Sequence, residues 1–170
     1  MSEADQRWGD LFDANAPALI LFARQWTTSH ADAEDVVQEA FIKFWRIGRH
    51  RAEDSRAYLF ASVKRAALDT RRSRLRREQR EAKASRWNAP NEPIFESVVE
   101  RDEWRESVES ALAALPQSQR EVLVLKAWGD LTFPQIAKIM GASPNTVASR
   151  YRYALDALRK TLVKDAEVLP

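Results

Sequence analysis

The stretch Gly141-Ala-Ser-Pro-Asn-Thr-Val-Ala-Ser-Arg-Tyr-Arg152 gathers amide, hydroxyl and guanidinium groups at close spacing. Asn145, Thr146, Ser149, Arg150 and Arg152 supply donors and acceptors, and Ala148 keeps the surface low. On the first turns of a helix, such a set suits the DNA major groove. Small residues permit close approach, and Asn or Arg bonds base edges. A second set is purely cationic: Lys64, Arg65, Arg71, Arg72, Arg74, Arg76 and Arg77 lie within a segment, 64–86, of net charge +7. Its chemistry is that of polyanion binding. A third set, Asp32, Asp35, Gln38, Glu39 and Lys43, is acidic and amide-rich, and complements a basic or mixed partner helix.

No residue pattern points to catalysis. The two histidines, His30 and His50, have no companions at metal-ligand spacing, and there is no cysteine. Neither histidine has an evident partner for nucleophilic chemistry, and no glycine-rich phosphate loop is present. The carboxylates sit on amphipathic patterns and read as solvated faces. No enzyme, metal or cofactor is expected.

The elements that must position these sets are all helical. Only four of the 170 residues are glycine, and no run alternates with period two, so no sheet is expected. Apolar residues at 45% and charged residues at 31% fit a globular chain rather than a disordered one. Net charge alternates in blocks: −4 over 1–47, +7 over 64–86, −5 over 87–121 and +3 over 122–170. Such asymmetry predicts a polyanion-facing surface and a separate partner surface.

Two helical modules are expected. In the first, residues 1–86, Trp8, Leu11, Phe12, Leu19, Leu21, Phe22 and Trp26 predict a helical hairpin broken near Asn15-Ala-Pro17. Ala33, Val37, Ala40, Phe41, Phe44 and Ile47 predict the buried face of a next helix, ended by Gly48. Ser55 is the predicted N-cap of a third helix, with Leu59, Val63, Ala66 and Thr70 along one side. Residues 87–93, with two prolines and two asparagines, predict a flexible linker.

The second module, 94–170, opens with a predicted helix from about Ile94 to Leu115, stopped by Pro116. A helix from Gln117 to Trp128 and a turn at Gly129-Asp130 follow. Thr132-Phe-Pro-Gln135 fits a capping box opening a helix from Phe133 to Met140. Gly141 is its predicted C-cap, Ser143 the next N-cap and Pro144 the first residue of the last helix, to about Val163. Val147, Tyr151, Leu155 and Leu158 are the expected buried stripe, leaving Asn145, Ala148, Ser149, Arg152 and Asp156 outside. Two short helices joined by a glycine-containing turn form a helix-turn-helix signature. A plain corner in a helical bundle explains the same stretch, and a solvated or frayed tail explains the arginine run, above all beyond Arg76.

LPQSQREVLVLKAWGDLTFPQIAKIMGASPNTVASRYRYALDALRK resembles region 4 of the extracytoplasmic-function (ECF) sigma factors of bacterial RNA polymerase. HADAEDVVQEAFIKFWR resembles their region 2.2, and SRAYLFASVKRAALDTRRSRLRR their regions 2.3 and 2.4. The resemblance implies an all-α protein of two small domains that directs core polymerase to promoters and assists their opening. It implies docking of Asp32, Asp35, Gln38, Glu39 and Lys43 on the β′ clamp helices, and contact of the second domain with the β flap. It places Tyr58, Lys64, Arg65, Arg71 and Arg72 at the −10 element, with a base-capturing loop within Gly48–Arg56. It places Asn145, Thr146, Ala148, Ser149, Arg150 and Arg152 at the −35 element. An anti-sigma factor is an implied partner, and the free protein is implied to be a monomer.

The chain departs from the family pattern at Arg65, where asparagine is common, and at Tyr58, where tryptophan is frequent. Ala148 and Tyr153 stand where basic residues are common. These positions bear on which promoter sequence is read. A stand-alone helix-turn-helix regulator is the competing reading, and a protein-binding scaffold a third. The first ten residues, MSEADQRWGD, lack a basic start to an apolar core, and the longest apolar run, Ala16–Ala23, is too short for a bilayer. A soluble, cytoplasmic protein without membrane insertion is expected.

Overall fold

A computed structural model describes residues 3–47, 53–81 and 103–168. Among these residues the chain is all-α, with seven helices and no strand. It divides into two compact units, Met1–Ile94 and Phe95–Pro170. The predicted linker 87–93, Gly48 and much of the expected base-capturing loop lie outside the described residues.

The first unit packs α1 (Glu3–Ala23), α2 (His30–Arg46) and α3 (Ser55–Glu81) around an aromatic core. The expected hairpin near Pro17 is not formed; α1 runs through it unbroken. Pro17 faces solvent, while Ala16, Ala18, Leu19 and Phe22 are buried, so packing on both sides outweighs one missing amide. The Asn15 amide donates to the Leu11 carbonyl at 2.7 Å, one turn back.

Aromatic contacts tie the three helices together. Trp8 stacks on Phe12, and both meet Phe41 edge-on, with centroids 5.4 and 5.0 Å away. Phe22 meets Phe60 of α3 at 5.4 Å, and Phe44 of α2 stacks on Tyr58 at 6.3 Å. Phe22, Phe41, Phe44 and Phe60 are fully buried, each contributing roughly 1.5–3 kcal/mol by transfer from water.

The α2 stripe is Ala33, Val36, Val37, Ala40, Phe41 and Phe44. Ile47, expected inside, is the C-cap residue and exposed, because the helix ends before it can turn inward. On α3 the buried set is Leu59, Phe60, Val63 and Ala67. Ala66 is only half-buried and Thr70 exposed, because the helix is rotated to bring the large Phe60 ring inside. Helix α3 continues to Glu81, past the point at which fraying was expected.

The second unit comprises α4 (Glu103–Ala114), α5 (Gln117–Ala127), α6 (Phe133–Met140) and α7 (Pro144–Val168). Residues 94–102 of the expected first helix lie outside the described residues. Leu112, Leu115, Leu123 and Ala154 form one core cluster, with Tyr151 and Leu158 packed against it. Leu155, expected in the buried stripe, is 41% exposed, and Ala154 takes its place. At 100° per residue, position 154 lies about 20° from 147, whereas 155 lies about 80° from it and has rotated off that face.

Candidate nucleic-acid interface

Backbone chemistry builds the turn that aims α7. The Thr132 hydroxyl accepts from the Gln135 amide at 3.4 Å, and the Gln135 side chain accepts from the Thr132 amide at 2.9 Å. This reciprocal capping box satisfies two orphan donors at the start of α6. Before it, Asp130 adopts a left-handed φ of 52°, and the Lys126 ammonium donates to the Leu131 carbonyl at 3.1 Å. Lys126 also lies 5.3 Å from the Phe133 ring centroid, which joins the turn to α6.

At the far end Gly141 takes φ 63°, ψ 38°, the left-handed C-cap conformation. The Ala142 amide donates to the Ala137 carbonyl at 3.0 Å. Ser143 then caps α7, its hydroxyl accepting from the Thr146 amide at 3.1 Å. Phe133 and Tyr151, with centroids 5.7 Å apart, fix α6 against α7.

This geometry presents the predicted residues at the start of α7. Asn145, Thr146 and Arg152 are exposed; Ala148, Ser149 and Arg150 are half-buried; Val147 and Ala154 are fully buried beneath them. The exposed set is polar and cationic, with small residues between. That surface can enter a major groove and offer hydrogen bonds to base edges and phosphates.

In the first unit, α3 carries Tyr58, Arg65 and Arg72, which are seven apart and so share one face of the helix. Arg65 and Arg72 are exposed, and Arg72 approaches Asp69 at 3.5 Å. Tyr58 is half-buried, its ring held by Phe44. Lys64 and Arg71 occupy the neighbouring flank. The Lys64 ammonium lies 5.7 Å from the Trp26 ring, a rigid platform because Trp26 is buried. The side chain outside and the ring beneath were both readable, but nothing in the spacing paired them.

The acidic helix is also assembled as a unit. Ser29 caps α2 by accepting from the Asp32 amide at 3.0 Å, and the Thr28 hydroxyl donates to the Asp32 carboxylate at 2.8 Å. The Ser29-x-x-Asp32 spacing was the overlooked signal for this cap. Asp35, Gln38, Glu39 and Lys43 are exposed along the helix, with Ile42 exposed among them. Asp32, Glu39 and Lys43 also form one wall of a groove of about 450 Å³ whose other wall includes Arg71, Arg74 and Arg77. Acidic and cationic sets expected on separate surfaces therefore meet along this groove.

Arg120 donates to the Ala113 carbonyl at 3.2 Å, bridging α4 and α5. Burial lowers its pKa from an ordinary value so high that the group stays charged in water. Among the described residues, no group of three or more His, Cys, Asp or Glu side chains is placed to hold a metal ion. No helix among them is long and apolar enough to cross a membrane.

A basic, tyrosine-bearing helix in one compact unit and a capped helix-turn-helix in the other define a two-module helical protein of the transcription-factor class. Comparison with known proteins narrows this. The family described as Sigma-70 region 2 matches residues 11–81, and that described as Sigma-70, region 4 matches residues 105–158. The chain is 33% identical to the ECF RNA polymerase sigma factor SigL of Mycobacterium tuberculosis, over 89% of this chain and 86% of that protein. It is 29% identical to the ECF sigma factor RpoE of Cereibacter sphaeroides, over 90% of this chain and 84% of that one. The structure of RpoE from Bartonella quintana, solved with the anti-sigma factor NepR, shares the fold at TM-score 0.67 and 24% identity. It aligns over 92% of this chain and 97% of that one. CnrH, solved with the cytosolic domain of CnrY, aligns at TM-score 0.57 and 25% identity, over 95% of this chain and 90% of that one. The chain belongs to the ECF RNA polymerase sigma factors.

Proposed function

We propose that this sigma factor divides its work by module. Residues 1–86 hold core polymerase and the −10 element, 87–93 link, and 94–170 read the −35 element. Asp32, Asp35, Gln38, Glu39 and Lys43 dock on the β′ clamp helices. Tyr58, Lys64, Arg65, Arg71 and Arg72 engage the −10 strand, the cations following phosphates and the ring offering a stacking face. Asn145, Thr146, Ala148, Ser149, Arg150 and Arg152 lie in the major groove of the −35 element, and the second module also meets the β flap. The observation that carries this reading is the outward set of Asn145, Thr146 and Arg152 over the buried Val147 on α7, whose start is capped by Ser143.

The chain adds promoter address and strand opening to a reaction that the polymerase catalyses, and it works in the cytoplasm, where both partners are. The complex of the Bartonella quintana RpoE with the anti-sigma factor NepR supports a similar inhibitor for this chain. The test is gel filtration with and without core enzyme, followed by capture of genomic fragments. A free monomer that retains promoter fragments well only with core supports the proposal. A dimer that selects the same fragments alone supports a stand-alone regulator instead.

A further inference from the structure

The outward face of α7 carries a large side chain that the fold does not use. Tyr153 is 57% exposed, on the third turn of the helix beside the polar set. Its ring lies 5.9 Å from the Arg152 guanidinium carbon. At 100° per residue, Arg152 and Tyr153 flank the line of Ser149 and Asp156. A guanidinium held over the Tyr153 ring is therefore drawn across the middle of the exposed face.

We infer that Tyr153 is a positioning residue for promoter reading: its ring holds the Arg152 guanidinium toward the groove floor. The inference rests on the proposed role of α7 at the −35 element. An arginine on a solvated helix samples many rotamers and loses that freedom on binding. It also has a competing acceptor, because Asp156 stands one turn on, at the spacing of helical ion pairs. Contact with an aromatic face opposes both losses, since arginine stacks on such rings while its N–H donors stay free for a base. The ring does this work and the hydroxyl is dispensable. The target chemistry is the paired acceptor edge of guanine, which matches a guanidinium fork.

Holoenzyme rebuilt with wild-type, Tyr153→Phe, Tyr153→Leu, Arg152→Ala and doubly substituted chains tests this. Each selects from a duplex pool randomised over the upstream element, and salt dependence is measured on the best duplex. Tyr153→Phe is expected to keep the preference at the Arg152-dependent base pair. Tyr153→Leu is expected to cut it about three-fold, the range of an exposed cation–π contact. The salt slope is expected to stay the same, because no phosphate contact is lost. In the Arg152→Ala background Tyr153→Leu is expected to add nothing. An unchanged preference in Tyr153→Leu, a shallower salt slope, or full additivity with Arg152→Ala overturns the inference. Failure of the underlying reading looks different, because wild-type holoenzyme would then show no preference over the upstream element.

Discussion

On the outward face of α2 the Lys43 ammonium donates to the Glu39 carboxylate one turn before it. Both side chains are more than half exposed, so the pair is worth only about 0.3–0.5 kcal/mol. A partner surface can therefore break it at little cost and use both charges. Reversing Asp35 and Glu39 to lysine together is expected to weaken core polymerase binding at least about ten-fold, as like charges meet across the interface. The unfolding transition should barely move, since both residues are exposed. Titration of labelled chain with core measures the first and thermal unfolding the second. Unchanged core affinity removes the docking assignment.

Arg152→Ala is expected to reduce discrimination for the upstream element about ten-fold, the value of one good bidentate base contact. Core affinity should be unaffected, because Arg152 is exposed on the α7 face proposed to meet DNA rather than the polymerase. Competition binding of holoenzyme on duplexes with intact and scrambled upstream elements measures the effect. Equal loss of core binding contradicts the proposed division of labour.

The role proposed for Tyr58 joins stability to strand opening. Its ring stacks on the fully buried Phe44 across the α2–α3 seam. Tyr58→Ala should cost about 1 kcal/mol from the lost ring pair and reduce permanganate reactivity of the opened strand. Tyr58→Phe keeps the stack and should restore both. Restoration of stability without opening would assign the opening role to the hydroxyl rather than to the ring face.

The turn preceding α6 tolerates little. A Cβ at Gly129 would lie 2.5 Å from the Leu125 carbonyl oxygen, a backbone atom with no room to retreat. Gly129→Ala is expected to cost on the order of 2–3 kcal/mol, as other overpacked sites do. Thr132→Ala should cost about 1 kcal/mol through the lost capping box. Thermal unfolding followed by circular dichroism checks both, and a cost at Thr132 exceeding that at Gly129 would contradict this account of the turn.

Local signals were the most legible in the sequence. Thr132, Gln135, Gly141 and Ser143 each act through neighbours within a few residues, so their spacing defined both boundaries of α6 and the start of α7. What the spacing left out was set by packing from distant residues. The spacing sets Leu59, Val63, Ala66 and Thr70 along one side of α3; Leu59 and Val63 are buried, but the Phe60 ring, meeting Phe22 of α1, turns the helix toward Ala67 in place of Ala66 and Thr70. The spacing places Leu155 in the α7 stripe, yet it is Ala154 that joins the cluster of Leu112, Leu115 and Leu123. Pro17 read as a break, and only the burial of residues on both sides of it keeps α1 whole.

The site residues follow the same division. The composition of the polar set on α7 and of the cations on α3 was evident from residue types alone. Their supports were not: Trp26 beneath Lys64, Phe44 beneath Tyr58, and the groove that brings Glu39 near Arg74 all join residues far apart in the chain.

The most direct test is transcription by core polymerase on fragmented genomic DNA of the source bacterium, with and without this chain, with start sites mapped. The account predicts new starts that appear only with the chain, each preceded by two shared elements at constant separation. Absence of new starts together with absence of a core complex would contradict it.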